Sequence, residues 1–147
     1  MTDSTPASQK DGKTSRGVAQ LLRKAGLRPT RQRLALGSLL FGGEDRHVTA
    51  ESLHVEALAA GQHVSLATVY NTLHQFKRAG LLRELAINGA KAYFDTNTSN
   101  HNHFFVEEEG ELHDISGHSV RVDGLPDPPE GMSITHIDVV VRLVKKD

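Results

Sequence analysis

The residues best suited to chemistry in this chain are His101 and His103, separated by Asn102, with Asp95 six residues before the pair and Asp114 eleven after it. In an extended segment, positions 101 and 103 point to one side, so two imidazoles can face one ion. Asp95 and Asp114 can approach from a linker and a neighbouring strand, and His47, far earlier in the chain, can join from another domain. Two or three imidazoles with two carboxylates suit Fe(II), Mn(II), Zn(II) or Co(II), and the lack of thiolate argues against Cu(I). His113 adjoins Asp114 and so falls on the opposite strand face, which reads as a non-ligand position. His54, His63, His74 and His118 have no comparable acidic company and read as solvent-facing or local packing residues.

The whole chain is nearly neutral, at −1 over 147 residues, yet its charge is segregated. Residues 1–94 hold 13 Lys and Arg against 7 Asp and Glu, a balance of +6, whereas residues 95–147 hold 4 against 11, a balance of −7. A compact basic half is a candidate polyanion binder, with nucleic acid the first polyanion to consider. No cysteine is present, which removes disulfides, thiolate zinc, iron–sulfur clusters and cysteine nucleophiles together. No apolar run is long enough to span a bilayer, and residues 1–16 are polar rather than signal-like. The expectation is a cytoplasmic protein with no membrane partner and a disordered N-terminal arm over 1–16.

The elements that must position these residues fall into two groups. Four short helices are expected first. Val18 to Ala25 stops at Gly26. A second helix is capped by Thr30 and carries Leu34, Leu36, Leu39 and Leu40. A third is capped by Thr49, carries Leu53, Ala57 and Leu58, and closes at Gly61. The fourth is capped by Ser65, carries Leu66, Val69, Leu73 and Phe76, and closes at Gly80. Leu81 to Ile87 and Ala90 to Phe94 then read as two strands joined by a two-residue Asn88-Gly89 turn. Helices followed by such a hairpin predict an α+β fold with a winged helix-turn-helix domain over 17–94. After a hinge over 95–100, residues 101–147 are expected to form a small α/β dimerisation domain with strands at 103–106, 112–115 and 134–144. Three strands bury too little to stand alone, so pairing with a second copy, a homodimer, is expected.

GLRPTRQRLALGSLL at 26–40, RHVTAESLHVEALAAGQHVSLATVYNTLHQFKRAGLL at 46–82 and GAKAYFDTNTSNHNHFFVEEEGELHDI at 89–115 together resemble the ferric uptake regulator (Fur) family over nearly the whole chain from residue 17. Within it the chain looks most like the iron response regulator branch (Irr) of rhizobia and their relatives. The resemblance implies an iron-responsive transcription regulator, not an enzyme, acting on double-stranded promoter DNA. It also implies a regulatory metal site of His47, Asp95, His101, His103 and Asp114. DNA-reading candidates are carried over with it: Tyr70 and Asn71 on the fourth helix, Ser65, Ala67 and Thr68 at its N-terminal end, and Arg28 for an A·T-rich minor groove. Asn71 stands where many relatives have Arg, and Asn suits adenine where Arg suits guanine. Arg31, Arg33, Lys77, Arg78 and Lys91 are expected as phosphate contacts or solvated charge.

Departures from the family pattern matter as well. Val106 and Glu109 stand in place of a Cys-x-x-Cys, so thiolate zinc is not expected. Asn100 and Asn102 stand where a second family site has His and Asp, leaving His136 as its remnant. The Irr-like resemblance further implies control by haem, with DNA released or the regulator degraded as haem accumulates, and with a haem-delivering enzyme as a partner. His101 and His103 are the haem-ligand candidates, since no Cys-Pro motif is possible, and Phe104 and Phe105 are expected to cover a porphyrin face. Two alternatives stay open: a peroxide-sensing repressor of the same family, in which peroxide reacting at bound Fe(II) oxidises His47 or His101, and a small cupin-like metalloenzyme built on HxH followed by Glu107 or Glu108.

Overall fold

The computed structural model describes residues 15–88, 91–116 and 119–147. These fall into two compact units, divided between Thr98 and Ser99. The expected arm over 1–16 lies almost wholly outside the described residues, as does His118.

In the first unit, helix α1 spans Ser15–Lys24, α2 Arg31–Phe41, α3 Ala50–Ala59 and α4 Leu66–Arg78. Three of the four ends are made by one device. Gly26, Gly61 and Gly80 have φ of 84°, 80° and 83°, a left-handed conformation that glycine adopts without Cβ strain. The next N–H in each case turns back to a helix carbonyl: Leu27 to Leu22 at 2.8 Å, Gln62 to Ala57 at 2.8 Å and Leu81 to Phe76 at 2.9 Å. The starts of α2, α3 and α4 are capped by side chains. Thr30 accepts from the Arg33 N–H, Thr49 and Ser52 cap reciprocally, and Ser65 accepts from the Thr68 N–H. Each such cap contributes about 1 kcal/mol.

The core of this unit collects Val18, Leu22, Leu36, Leu40, Leu53, Ala57, Val69, Leu73, Phe76 and Phe94. Gly37 is required by close packing rather than by its backbone angles, because a Cβ there would stand 2.9 Å from Val18 Cγ1. Leu58 and Leu66, expected on buried faces, are exposed instead. The helical stripes are narrower than the apolar pattern suggests, and Thr72 takes a buried place on α4.

Strand β1, His47–Val48, pairs antiparallel with β3, Lys91–Asp95, and β3 pairs antiparallel with β2, Arg83–Asn88, giving the order β1-β3-β2. Asn88 pairs with Lys91 at the end of the ladder, and the expected Asn88-Gly89 turn falls on a connection outside the described residues. Asp95 is the last residue of β3 rather than part of a hinge.

The second unit holds β4, Asn102–Val106, β5, Glu111–Ile115, and β6, Val140–Leu143, in the order β5-β4-β6. β4 is antiparallel to β5 and parallel to β6. A parallel pair needs a crossover, usually a helix, and an α/β domain is the expectation. No helix is found among the described residues here. The crossover carries Pro126, Pro128 and Pro129, which lack N–H donors and push their predecessors out of the helical region. Residues 133–139, including Ile134 and Ile137, have no regular secondary structure, so the third strand begins only at Val140.

Candidate metal centre and nucleic-acid surface

Each unit contributes its own set of metal-capable side chains. In the first, the β1–β3 register sets His47 opposite Asp95. His47 Nε2 lies 3.2 Å from Asp95 Oδ2, and the other carboxylate oxygen accepts the Asn97 N–H at 2.9 Å, which fixes the buried carboxylate. Residue type alone picks out both side chains. The strand that pairs them is two residues long, too short to show a period-two pattern.

In the second unit, His103 on β4 faces Asp114 on β5 across the ladder, while His113 pairs with Phe104 on the other face. His103 Nε2 stands 3.4 Å from Asp114 Oδ1, and His101 Nε2 stands 3.5 Å from the same oxygen. The two imidazoles are buried, with ring centroids 4.6 Å apart. His101 Nδ1 donates to the Ser99 carbonyl at 2.7 Å. A carbonyl only accepts, so Nδ1 carries a proton, and in the neutral ring that leaves Nε2 with the lone pair a metal needs. Fixing the outer nitrogen in this way is how proteins orient an imidazole toward a metal.

The spacings suit an ion. Ligand atoms about 2.1 Å from one metal stand about 3.0–3.4 Å apart in octahedral or tetrahedral geometry, close to the 3.2–3.5 Å separations within the two sets. The donors are nitrogen and oxygen throughout, which fits Mn(II), Fe(II) or Zn(II). Haem does not fit this arrangement. Both imidazoles are buried and direct Nε2 to one Asp114 oxygen rather than outward as an axial ligand would. Nor can the expected aromatic cover form, because Phe104 lies on the face opposite His103 and Phe105 is buried.

Most of the other described histidines are engaged locally. His54 Nε2 donates to the Val64 carbonyl at 3.0 Å, tying α3 to the turn before α4, and His74 meets the Phe94 ring edge-on. His63 is exposed, and His113 and His136 are exposed beside Glu111 and Asp138. Asn102 accepts the Val139 N–H at 3.2 Å and so anchors the start of β6, whereas Asn100 is exposed. Val106 and Glu109 flank a tight turn closed by Gly110 N–H to the Val106 carbonyl at 2.8 Å, and Glu109 pairs with Lys145 at 3.1 Å.

The first unit also carries a polar cleft of about 570 Å³ between the start of α2 and α4. Arg28, Thr68 and Asn71 line it together with Thr30, Gln32, Arg33, Thr72 and Gln75. Ser65, Ala67 and Asn71 are exposed along α4. Tyr70 donates its hydroxyl to Glu51 Oε2 at 3.1 Å, and that hydrogen bond, followed by desolvation and the Glu51 charge, raises the phenol above its ordinary pKa. The hydroxyl is therefore a donor across the physiological range. Arg33, expected as a phosphate contact or solvated charge, is instead hydrogen-bonded to Gln75 and to the Arg28 carbonyl. Lys77 pairs with Glu84 at 2.7 Å, and Arg31, Arg78 and Lys91 are exposed.

The ferric uptake regulator family matches residues 24–141. The chain belongs to that family. Over 92 residues it is 38% identical to the ferric uptake regulation protein of Pseudomonas aeruginosa, spanning 62% of this chain and 69% of that protein. It is also 38% identical over 94 residues to the peroxide-responsive repressor PerR of Staphylococcus epidermidis, spanning 64% of this chain and 62% of that one. Among solved structures it resembles the manganese-bound ferric uptake regulator of Pseudomonas aeruginosa, with 30% identity and a TM-score of 0.66 over 87% of this chain and 97% of that one. Members of the Fur family are metal-responsive transcription regulators rather than enzymes, which sets the cupin-like alternative aside. No helix among the described residues is long and apolar enough to cross a membrane.

Proposed function

We propose that this Fur-family chain is an iron-responsive regulator that binds double-stranded promoter DNA as a homodimer in the cytoplasm, and that one divalent ion governs its affinity by taking ligands from both His/Asp sets. The observation that carries this is the convergence of His101 Nε2 and His103 Nε2 on one Asp114 oxygen, with the His101 ring oriented by its Nδ1 contact to the Ser99 carbonyl. His47 and Asp95 supply the remaining donors. Dimerisation is supported by the outer face of the second sheet, where Phe104 and its register partner Val141 are both exposed. Mobility shift on A·T-rich promoter DNA, in metal-free protein and with Mn(II), tests the function: Mn(II) is expected to tighten binding, and equal affinity in both states would refute it.

The finer, Irr-like part of the proposal rests on the sequence resemblance, since haem lacks a fitting site at the folded imidazoles. Adding haem to the same mobility-shift series tests it. Lowered DNA affinity that disappears with His101→Ala and His103→Ala supports haem control, and no change leaves metal as the sole effector.

α4 is the proposed reading helix, with Ser65, Ala67, Thr68, Tyr70 and Asn71 toward the major groove and Arg28 toward the minor groove. Asn71→Ala should weaken specific binding by about 1–3 kcal/mol while leaving non-specific binding nearly unchanged, as loss of a bidentate adenine contact requires. Equal losses on specific and random duplexes would remove that role. The PerR relative favours a second function, peroxide sensing at the same nitrogen and oxygen ligands. Mass spectrometry of Fe(II)-loaded protein after peroxide distinguishes it: added oxygen on His47 or His101 supports it, and unmodified histidines exclude it.

A further inference from the structure

We propose that Arg33 and Gln75 form a brace that sets the position of Arg28 relative to α4, making them positioning residues for DNA reading rather than contacts to DNA; this rests on the DNA-binding function proposed above. Arg33 occupies the first turn of α2, and its guanidinium leaves that helix in two directions. Nε donates to Gln75 Oε1 on α4 at 3.1 Å, and a terminal nitrogen donates to the Arg28 carbonyl at 3.0 Å. The same carbonyl accepts the Thr30 N–H at 2.9 Å, so the backbone of Arg28 is held from two sides. Its side chain is exposed and lines the cleft that Thr68 and Asn71 of α4 also line.

A planar guanidinium holds its donors at fixed angles, so the bond to Gln75 dictates where the Arg28 carbonyl must sit. Lysine offers one flexible ammonium and cannot hold both partners in this geometry. Attraction of arginine into a narrow A·T minor groove depends on reaching it while α4 occupies the neighbouring major groove. The brace fixes that offset before DNA arrives, so less ordering of the Arg28 segment is needed on binding. Gln75 carries no charge and the Arg33 guanidinium is engaged by Gln75 and the Arg28 carbonyl, so both act on specificity through Arg28.

The test uses the full chain loaded with Mn(II) and a duplex that the wild-type protein enriches from a random-sequence pool, prepared with A·T-rich and with G·C-rich flanks. Gln75→Met keeps the volume and removes the acceptor, and Arg33→Lys keeps the charge and removes the fork. Each is expected to weaken binding to the A·T-flanked duplex about five- to tenfold and to the G·C-flanked duplex less than about twofold. On an Arg28→Ala background each should change affinity by less than about twofold, because the residue they position is gone. Losses that add to that of Arg28→Ala, or that are equal on both flanks, would overturn the brace while leaving DNA binding intact. Failure of the wild-type chain to enrich any duplex would overturn the DNA-binding function itself, and the brace with it. Either variant suffices if the other does not fold.

Discussion

Replacing His101 and His103 together by Ala is expected to abolish tight binding of Mn(II) or Fe(II), measured by calorimetric or fluorescence titration of the metal-free protein. The two Nε2 atoms lie 3.5 and 3.4 Å from a single Asp114 oxygen, and no other described side chain of the second unit supplies a buried imidazole. Loss of an outer-sphere partner alone costs about 10- to 100-fold in metal affinity, so removing two direct ligands should exceed the upper end of that range. Asp114→Ala should weaken binding to an intermediate degree, since one carboxylate is lost and both imidazoles remain. His113→Ala, next door on β5 but paired with Phe104 on the opposite face, should leave affinity unchanged. A titration in which His113 mattered and Asp114 did not would mean that the ion sits elsewhere.

The contrast between Asp114 and His113 was open to sequence reasoning because a strand alternates faces whatever its partners are. Helix limits were legible for a similar reason. Thr30, Thr49 and Ser65 accept backbone protons from residues three positions ahead, and Gly26, Gly61 and Gly80 take left-handed angles, so these signals act within one turn of chain. What was hidden depends on distant partners. β1 exists only because β3 runs beside it, and nothing local in His47-Val48 announces a strand. The β2–β3 ladder has a register irregularity between Ala86 and Asn88 that no local signal announces. The missing crossover helix was foreshadowed by Pro126, Pro128 and Pro129, whose local effect outweighs the general preference for a helical crossover. Arg33 illustrates the limit most plainly: its partner Gln75 is 42 residues away, and an arginine at a helix start looks the same in sequence whether it faces phosphate or an amide.

His47→Ala and Asp95→Ala are expected to leave dimerisation and metal-free DNA binding nearly intact while removing most of the metal's effect on DNA affinity. These two side chains belong to the unit that carries α4, and their mutual geometry is set by the β1–β3 register rather than by the second unit. If one ion takes ligands from both units, it restricts how the reading helices of a dimer are presented to two half-sites, and affinity for DNA rises with occupancy. Coupling of this kind typically amounts to about 5- to 150-fold. The wild-type gain with Mn(II) should fall in that range, and either substitution should reduce it to less than about twofold. Linkage supplies an independent check, because DNA must then raise the affinity for Mn(II) by the same factor, and that reciprocal gain should vanish in the same variants. Metal titrations with and without duplex measure it directly, and sedimentation of the variants confirms that the dimer persists. A full metal effect in His47→Ala would show that His101, His103 and Asp114 act without the first unit, and the ion would then stabilise the second sheet rather than orient α4.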